Sequence, residues 1–248
     1  MNGPATRSSA TLAQVAMELR LTARRGENVL VTVIIPAVVL VFFASVNLTT
    51  GGSGDSLDFL VPGALALAVI ATSLVNLGIA TAYERNYGVL KRLGGSPLTR
   101  SGLMTAKFAT VLVIELLQVM LLGAIAVWLG WRIGPDASVV GFVAALLLGT
   151  LAFAGLGLLM AGTLRAEATL ALTNAAFIAC LLLGGIVMPV DHLPGPLATV
   201  AGMLPAAALS DAFRFALGSG DGSGLPLAIL AAWAAGAIAL TARTFRWD

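Results

Sequence analysis

Six apolar runs decide what this chain can fold into. They lie at about 28–46, 57–82, 105–130, 139–163, 168–188 and 225–242, and a helix needs roughly 20 apolar residues to cross the hydrocarbon core of a bilayer. Each run is predominantly apolar, and a helix satisfies its own backbone hydrogen bonds inside lipid. With 58% hydrophobic residues, 10% charged residues and a mean hydropathy of +0.97, little chain remains for a soluble domain. The expected fold is an all-α polytopic membrane protein with six transmembrane helices. A polar, charged stretch to Glu27 precedes the first run, so no cleavable signal peptide is expected. The expected division is a cytoplasmic tail at 1–27, carrying an amphipathic helix, and a single six-helix transmembrane domain at 28–248.

Basic residues set the orientation, because short loops rich in Lys and Arg stay on the inner side. With both termini inside, Arg7, Arg20, Arg24, Arg25, Arg85, Lys91, Arg92, Arg100, Lys107, Arg165, Arg243 and Arg246 are cytoplasmic, which is twelve of the fourteen. Only Arg132 and Arg214 fall outside. A net charge of +2 is explained by this placement and gives no reason to expect nucleic acid. Cys180 is the single cysteine, so no intramolecular disulfide is expected.

Ahead of the first span, Leu12, Val15, Ala16, Leu19 and Ala23 recur at helical spacing among Glu18, Arg20, Arg24 and Arg25. That pattern predicts a helix lying on the inner membrane surface. It serves either as an anchor or as an elbow that moves with the first span. Between the fifth and sixth runs, Gly184–Gly224 is too apolar for a free loop and too broken by Pro189, Pro194, Pro196 and Pro205 for a normal span. Two short helices re-entering the outer leaflet are expected there, at about 196–203 and 206–217. Trp128 and Trp131 read as interfacial anchors.

Chemistry-bearing motifs are missing. There is no Walker loop, no H-E-x-x-H and no G-x-S-x-G, and His192 is the only histidine. No catalytic, cofactor-binding or metal-ligating residue is expected. Glu115 is the conspicuous charge inside a span, with Gln118 on the same helical face. One reading is structural, a hydrogen bond to Gln118 or Asn76. The other places Glu115, Gln118 and Asn76 on a translocation path, or makes Glu115 the proton site of a stand-alone proton-coupled secondary transporter.

The polar island between the second and third runs points elsewhere. Glu84-Arg85-Asn86-Tyr87-Gly88-Val89-Leu90-Lys91-Arg92-Leu93-Gly94-Gly95-Ser96-Pro97-Leu98 is mixed apolar and basic, and it ends on a hard stop. It resembles the segment between spans two and three of ABC-2 type transporter permeases, the membrane subunits of ATP-driven exporters, including the daunorubicin-resistance permeases. Glu84, Gly88, Leu90, Lys91, Arg92, Pro97 and Leu98 fit that family's pattern. So do Gly184-Gly185, Pro189 and Pro205 nine residues before Arg214. The resemblance implies two copies of the chain, or this chain with a related permease, forming a pathway through the bacterial inner membrane. A separate ABC ATPase would dock on each copy and hold ATP and Mg, so the chain is expected to be a permease rather than an enzyme. The coupling residues would be Glu84, Arg85, Gly88, Val89, Leu90, Lys91, Arg92, Leu93 and Pro97, with Val89, Leu90 and Leu93 as apolar contacts. Pro189, Pro205 and Arg214 would form the outer gate. Ala206-Ala207-Ala208 stands where the family often carries bulky residues, and aromatic content is only 6%. The low aromatic content favours an amphipathic drug, antibiotic or lipid-like substrate over a polysaccharide, and the alanine run yields no substrate inference from the outer helices.

Overall fold

The computed structural model describes residues 7–24, 26–46, 53–93, 100–220 and 224–245, and among them there is no strand. In chain order the helices are α1 (Arg7–Arg24), α2 (Gly26–Val46), α3 (Ser53–Ile70), α4 (Leu77–Asn86), α5 (Val89–Leu93), α6 (Arg100–Trp128), α7 (Val139–Thr163), α8 (Ala166–Leu183), α9 (Gly195–Gly202), α10 (Pro205–Ala216) and α11 (Leu225–Thr244). Five described helical runs are long and apolar enough to cross a membrane. They coincide with the second to sixth runs of the sequence. Helix α2 stands where the first run lies, and its described apolar stretch, Thr32–Val46, is shorter. The α9–α10 pair is bent by 73° between the last two spans.

The second span is the axis of the molecule. Helices α3 and α4 are joined through a π-helical stretch, Ala71–Asn76, into one run from Ser56 to Asn86 of 31 residues. At 1.5 Å per residue that is roughly 45 Å, well beyond the ~30 Å hydrocarbon core. Its two ends, at Asp58 and Glu84, therefore stand at opposite interfaces. Most of this run is buried within the chain, whereas α8 and α11 turn most of their surface outward.

Packing around that axis depends on small residues, as it must where lipid supplies no hydrophobic drive between helices. Gly157 of α7 faces the Ser73 and Leu74 carbonyls so closely that an added Cβ would lie 2.8 Å from Leu74 O. Gly78 on α4 meets Gly157 in turn. On its other side α7 meets α11, where Ala237 sits against Gly155 and Thr241 Oγ1 donates to Gly155 O at 2.9 Å. Leu209 and Phe213 of α10 are fully buried against the same core.

Helix ends follow local chemistry. Gly130, at φ +95°, closes α6 in a left-handed turn that lets Trp131 N donate back to Ala126 O at 2.9 Å. Ser138 caps α7, its Oγ accepting from Gly141 N at 3.1 Å. Trp128 is exposed, as an anchor should be. Trp131 is instead buried, with its indole donating to Asp58 Oδ1 at 2.9 Å. Trp131 therefore ties the α6 exit to the start of α3 and is not free to act as an anchor.

Candidate functional site

One end of the bundle gathers charges that the sequence scatters over 90 residues. Lys107, near the start of α6, is only 2% exposed and faces two carboxylates. Its Nζ lies 2.6 Å from Glu84 Oε2 on α4 and 3.3 Å from Glu18 Oε1 on α1. A lysine inside an apolar helix needs such partners, since an unpaired buried charge is strongly destabilising. Glu18 Oε1 also accepts from Gln14 Nε2 at 3.0 Å. The cluster draws one face of α1 onto α6, so Val15 and Leu19 turn partly inward while Leu12, Ala16 and Met17 stay outside. The apolar face expected of α1 is thus split between bundle and surroundings.

Arg85, the next residue, turns the other way. Its guanidinium donates to Ala161 O and Leu164 O, each at 2.6 Å, and so satisfies carbonyls that the end of α7 leaves open. Glu84 and Arg85 are therefore both engaged inside their own chain.

Beyond them the helix breaks. Gly88 takes φ +70°, a conformation that costs most L-residues about 1–2 kcal/mol. The chain then re-enters a short helix, α5, with Arg92 N donating to Gly88 O at 3.2 Å. Leu90 is 1% exposed and packs home, whereas Val89, Lys91 and Arg92 face outward and Tyr87 is 69% exposed. The expected apolar contact at Leu90 is thereby used within the chain. Tyr87 joins Val89 as an outward-facing apolar residue, a position outside the expected coupling set although it stands next to the glycine. The side chain of Leu93 is not described, and Pro97 lies outside the described residues.

Beside this cluster a cavity of about 660 Å³ opens between α1, α4 and the π stretch, with Asn174 of α8 contributing. Tyr83, Glu84, Tyr87, Glu18, Asn76 and Asn174 supply its polar wall, and Leu21, Val75 and Ile79 its apolar one. The Tyr83 and Tyr87 rings stack with centroids 6.0 Å apart.

Of the three residues expected on a translocation path, only Asn76 lines the cavity. Glu115 is 1% exposed within the bundle, its Oε2 2.5 Å from Thr150 Oγ1 of α7. Its Oε1 meets no hydrogen-bond partner among the described residues. Gln118 instead bridges the first two spans, accepting from Thr72 Oγ1 at 2.9 Å and donating to Thr32 O at 3.1 Å. The anticipated Glu115–Gln118 or Glu115–Asn76 bond is replaced by Thr150. A threonine in an apolar helix gives little sign of such a role in sequence.

At the opposite end Arg214 of α10 is the hub. It donates to Gly185 O and lies 2.6 Å from Asp211 Oδ1, and its guanidinium sits 4.0 Å from the centroid of the Phe59 ring. Ser219 Oγ donates to Asp58 O at 3.1 Å beside it. Pro205 opens α10 as its first residue, and Pro189 precedes a single 3-10 turn at Val190–His192. Arg214 and Gly185, from two separate sequence blocks, are thus in direct contact. Among the described residues, no group of three His, Cys, Asp or Glu is placed to hold a metal ion.

A family model for the ABC-2 type transporter matches residues 10–217, most of the chain. The chain belongs to the ABC-2 type transporter family. That match takes in both charge clusters and the exposed tip at α5. Similarity extends to two Escherichia coli K12 proteins. One, named "Probable multidrug ABC transporter permease YbhS", is 28% identical over 156 residues, covering 61% of this chain and 40% of that protein. The other, "Probable multidrug ABC transporter permease YbhR", is 26% identical over 137 residues, covering 55% of this chain and 37% of that protein. The matched part of the chain spans about two fifths of these relatives' length. As an ABC-2 family member with five to six apolar spans, the protein is a multi-pass membrane protein.

Proposed function

We propose that this chain is the membrane subunit of an ATP-driven exporter. It would dock a separate ATPase through the tip at Tyr87–Leu93 and move an amphipathic drug, antibiotic or lipid-like substrate outward. The observation that carries this reading is the contrast between tip and root. Tyr87, Val89, Lys91 and Arg92 are exposed on a five-residue helix, while the root is held by the buried Lys107–Glu84 pair and by Arg85 on the end of α7. A tip free to engage a partner, on a base that cannot yield, can transmit force into α4, α6 and α7 together.

In this reading the tip end is cytoplasmic, both termini lie inside, and the protein resides in the bacterial inner membrane. ATP and Mg stay on the partner ATPase, one copy per permease, with two permeases forming the pathway. ATP shifts the membrane subunits only to the extent that it binds one of their states better than the other. The Arg214 hub would hold the outer exit, with Pro189 and Pro205 bounding the segment that moves. Glu115 is directed at Thr150 and does not line the cavity, and this supports a structural role over a stand-alone proton carrier.

The test is affinity purification of the tagged chain from its native membrane, with ATPase activity assayed on the eluate. We expect a nucleotide-binding subunit to co-purify and to be lost when Val89–Leu93 is deleted, with membrane insertion unchanged. A preparation that is clean, monodisperse and free of ATPase would reject the reading.

A further inference from the structure

We infer that the outward side of α1 binds the phosphate of an anionic phospholipid through Arg20 and Arg24, with apolar residues on either side resting on the acyl chains. This inference goes beyond the exporter reading and does not depend on it. It needs only that the chain spans a membrane.

The division of α1 is the first argument. Gln14, Val15, Glu18, Leu19 and Thr22 are half-buried and occupy one side of the helix. Leu12, Ala16, Arg20, Arg24, Met17 and Leu21 are exposed. At about 100° per residue they fall in that order across an arc of about 180°. Leu12 and Ala16 form one margin, Met17 and Leu21 the other, and both arginines stand between them. Packing on α6 takes Val15 and Leu19 inward and so leaves the arginines at the centre of the outward side.

Charge is the second. Glu18 is the only acid of α1, and it turns away, its Oε1 facing Lys107 and Gln14. Arg20 and Arg24 are four residues apart on one side, about 6 Å along the axis, where like charges repel. Among the described residues neither guanidinium makes a hydrogen bond or ion pair. An anion with several oxygens set between them relieves the repulsion, and the planar guanidinium fork matches a phosphate.

Depth in the bilayer decides which anion. Lys107 stands eight residues from the middle of the α6 span, Gly102–Trp128. On a span centred in the membrane that is about 12 Å from the midplane, close to the edge of a hydrocarbon core roughly 30 Å thick. Glu18 lies 3.3 Å from Lys107, which puts α1 at the level where phosphates meet acyl chains. There the exposed Leu12 and Met17 rest on apolar chains while the arginine stems carry their charges to the headgroups. A soluble phosphate would satisfy the charge and leave both apolar margins in water. The occupant is therefore a lipid.

The experiment takes the purified full chain in a neutral detergent and measures the binding of fluorescent phosphatidylglycerol. Unlabelled phosphatidylglycerol, phosphatidylcholine with the same acyl chains, and inorganic phosphate are the competitors. Phosphatidylglycerol is expected to compete about tenfold better than phosphatidylcholine, and inorganic phosphate not at all. Arg20→Gln and Arg24→Gln should each weaken binding about fivefold. Both side chains are exposed, so the fold tolerates their loss. Arg132→Gln, which removes an exposed arginine at the opposite end of α6, should leave binding unchanged. Without lipid the double variant should melt with the wild type, and it should lose the stabilisation that phosphatidylglycerol confers on the wild type. Equal competition by phosphatidylcholine, displacement by inorganic phosphate, or wild-type affinity in the double variant overturns the inference. So does an Arg132→Gln effect as large as that of Arg20→Gln, which would mark a general attraction of charge and not a site on α1.

Discussion

Lys107 Nζ lies 2.6 Å from Glu84 Oε2, joining the start of α6 to the foot of the α5 tip in a contact that is nearly closed to solvent. The pair spans two adjacent transmembrane segments, and Glu18 brings α1 into it at 3.3 Å. Replacing Lys107 by Met leaves two carboxylates facing each other without a cation. Such a change costs about 3–5 kcal/mol where the pair is buried. Glu18→Gln, which removes the longer contact, is expected to cost much less. Thermal unfolding of the purified variants in detergent checks the order. A Lys107→Met protein as stable as wild type would mean that the pair does not hold the root of the tip.

Gly88 sits at the break between α4 and α5 with φ +70° and nothing within 4 Å of where a Cβ would stand. Only the backbone therefore resists substitution there. Gly88→Ala is expected to cost about 1–2 kcal/mol through the left-handed penalty alone. Gly88→Pro goes further: it fixes φ near −65° and removes the N–H that donates to Arg85 O at 3.0 Å. The tip should then point elsewhere while insertion proceeds. Transport should fall to background in Gly88→Pro and be retained in Gly88→Ala, as measured by substrate efflux at matched membrane levels. Full efflux by the proline variant would show that the tip's direction does not matter.

Much of this architecture is legible in the sequence, and the reasons differ by feature. Span positions follow from hydropathy, because the bilayer imposes a length on each helix. The sorting of basic residues by loop anticipates that Glu18, Arg85, Lys107 and the Leu164 carbonyl meet at one end, since short loops bring consecutive helices back to the same side. Partners are not legible in this way. That Lys107 takes Glu84 and Glu18, or that Arg85 donates to the end of α7, depends on the rotation of each helix about its axis. The π stretch at Ala71–Asn76 changes that rotation part-way along the second span. The same rotation sends Thr72 to Gln118 and leaves Asn76 on the cavity wall. Leu90 belonged to an apolar set in the sequence, and only the turn at Gly88 buries it while exposing Tyr87.

Glu115 and Thr150 link α6 to α7 in the middle of the bundle at 2.5 Å. Glutamine in place of Glu115 offers the same hydroxyl both an acceptor and a donor, and it removes a charge that lipid disfavours. Export and melting temperature are expected to survive Glu115→Gln. Thr150→Val deletes the partner instead and leaves a buried carboxyl group without it, at a cost of about 1–3 kcal/mol. Both variants are read by thermal unfolding and efflux. If Glu115→Gln abolished efflux while leaving stability intact, Glu115 would be a proton carrier and the structural reading would fall.

Arg214 concentrates three interactions at the end of the bundle opposite the α5 tip: the Gly185 carbonyl, Asp211 at 2.6 Å and the Phe59 ring at 4.0 Å. These tie α10 to the end of α8 and to the beginning of α3, so the guanidinium fastens the segment between the last two spans to the central axis. Lysine carries the charge but lacks the planar fork that lets one group hydrogen-bond two oxygens and stack on a ring. Arg214→Lys should keep the Asp211 contact and lose the remainder. Arg214→Ala should lose all three, where a charged hydrogen bond contributes about 1.5–3 kcal/mol and a partly desolvated cation–π contact about 1–2 kcal/mol. Hydrogen exchange reads this locally. The amides of 186–204 should exchange faster in the order wild type, Arg214→Lys, Arg214→Ala, while those of α6 and α7 keep their protection. Phe59→Leu on the Arg214→Lys background should add little, because the ring has already lost its cation. Unchanged exchange in Arg214→Ala would leave the segment between the last two spans held by the apolar packing of Leu209 and Phe213 alone, and Arg214 would have no part in a gate.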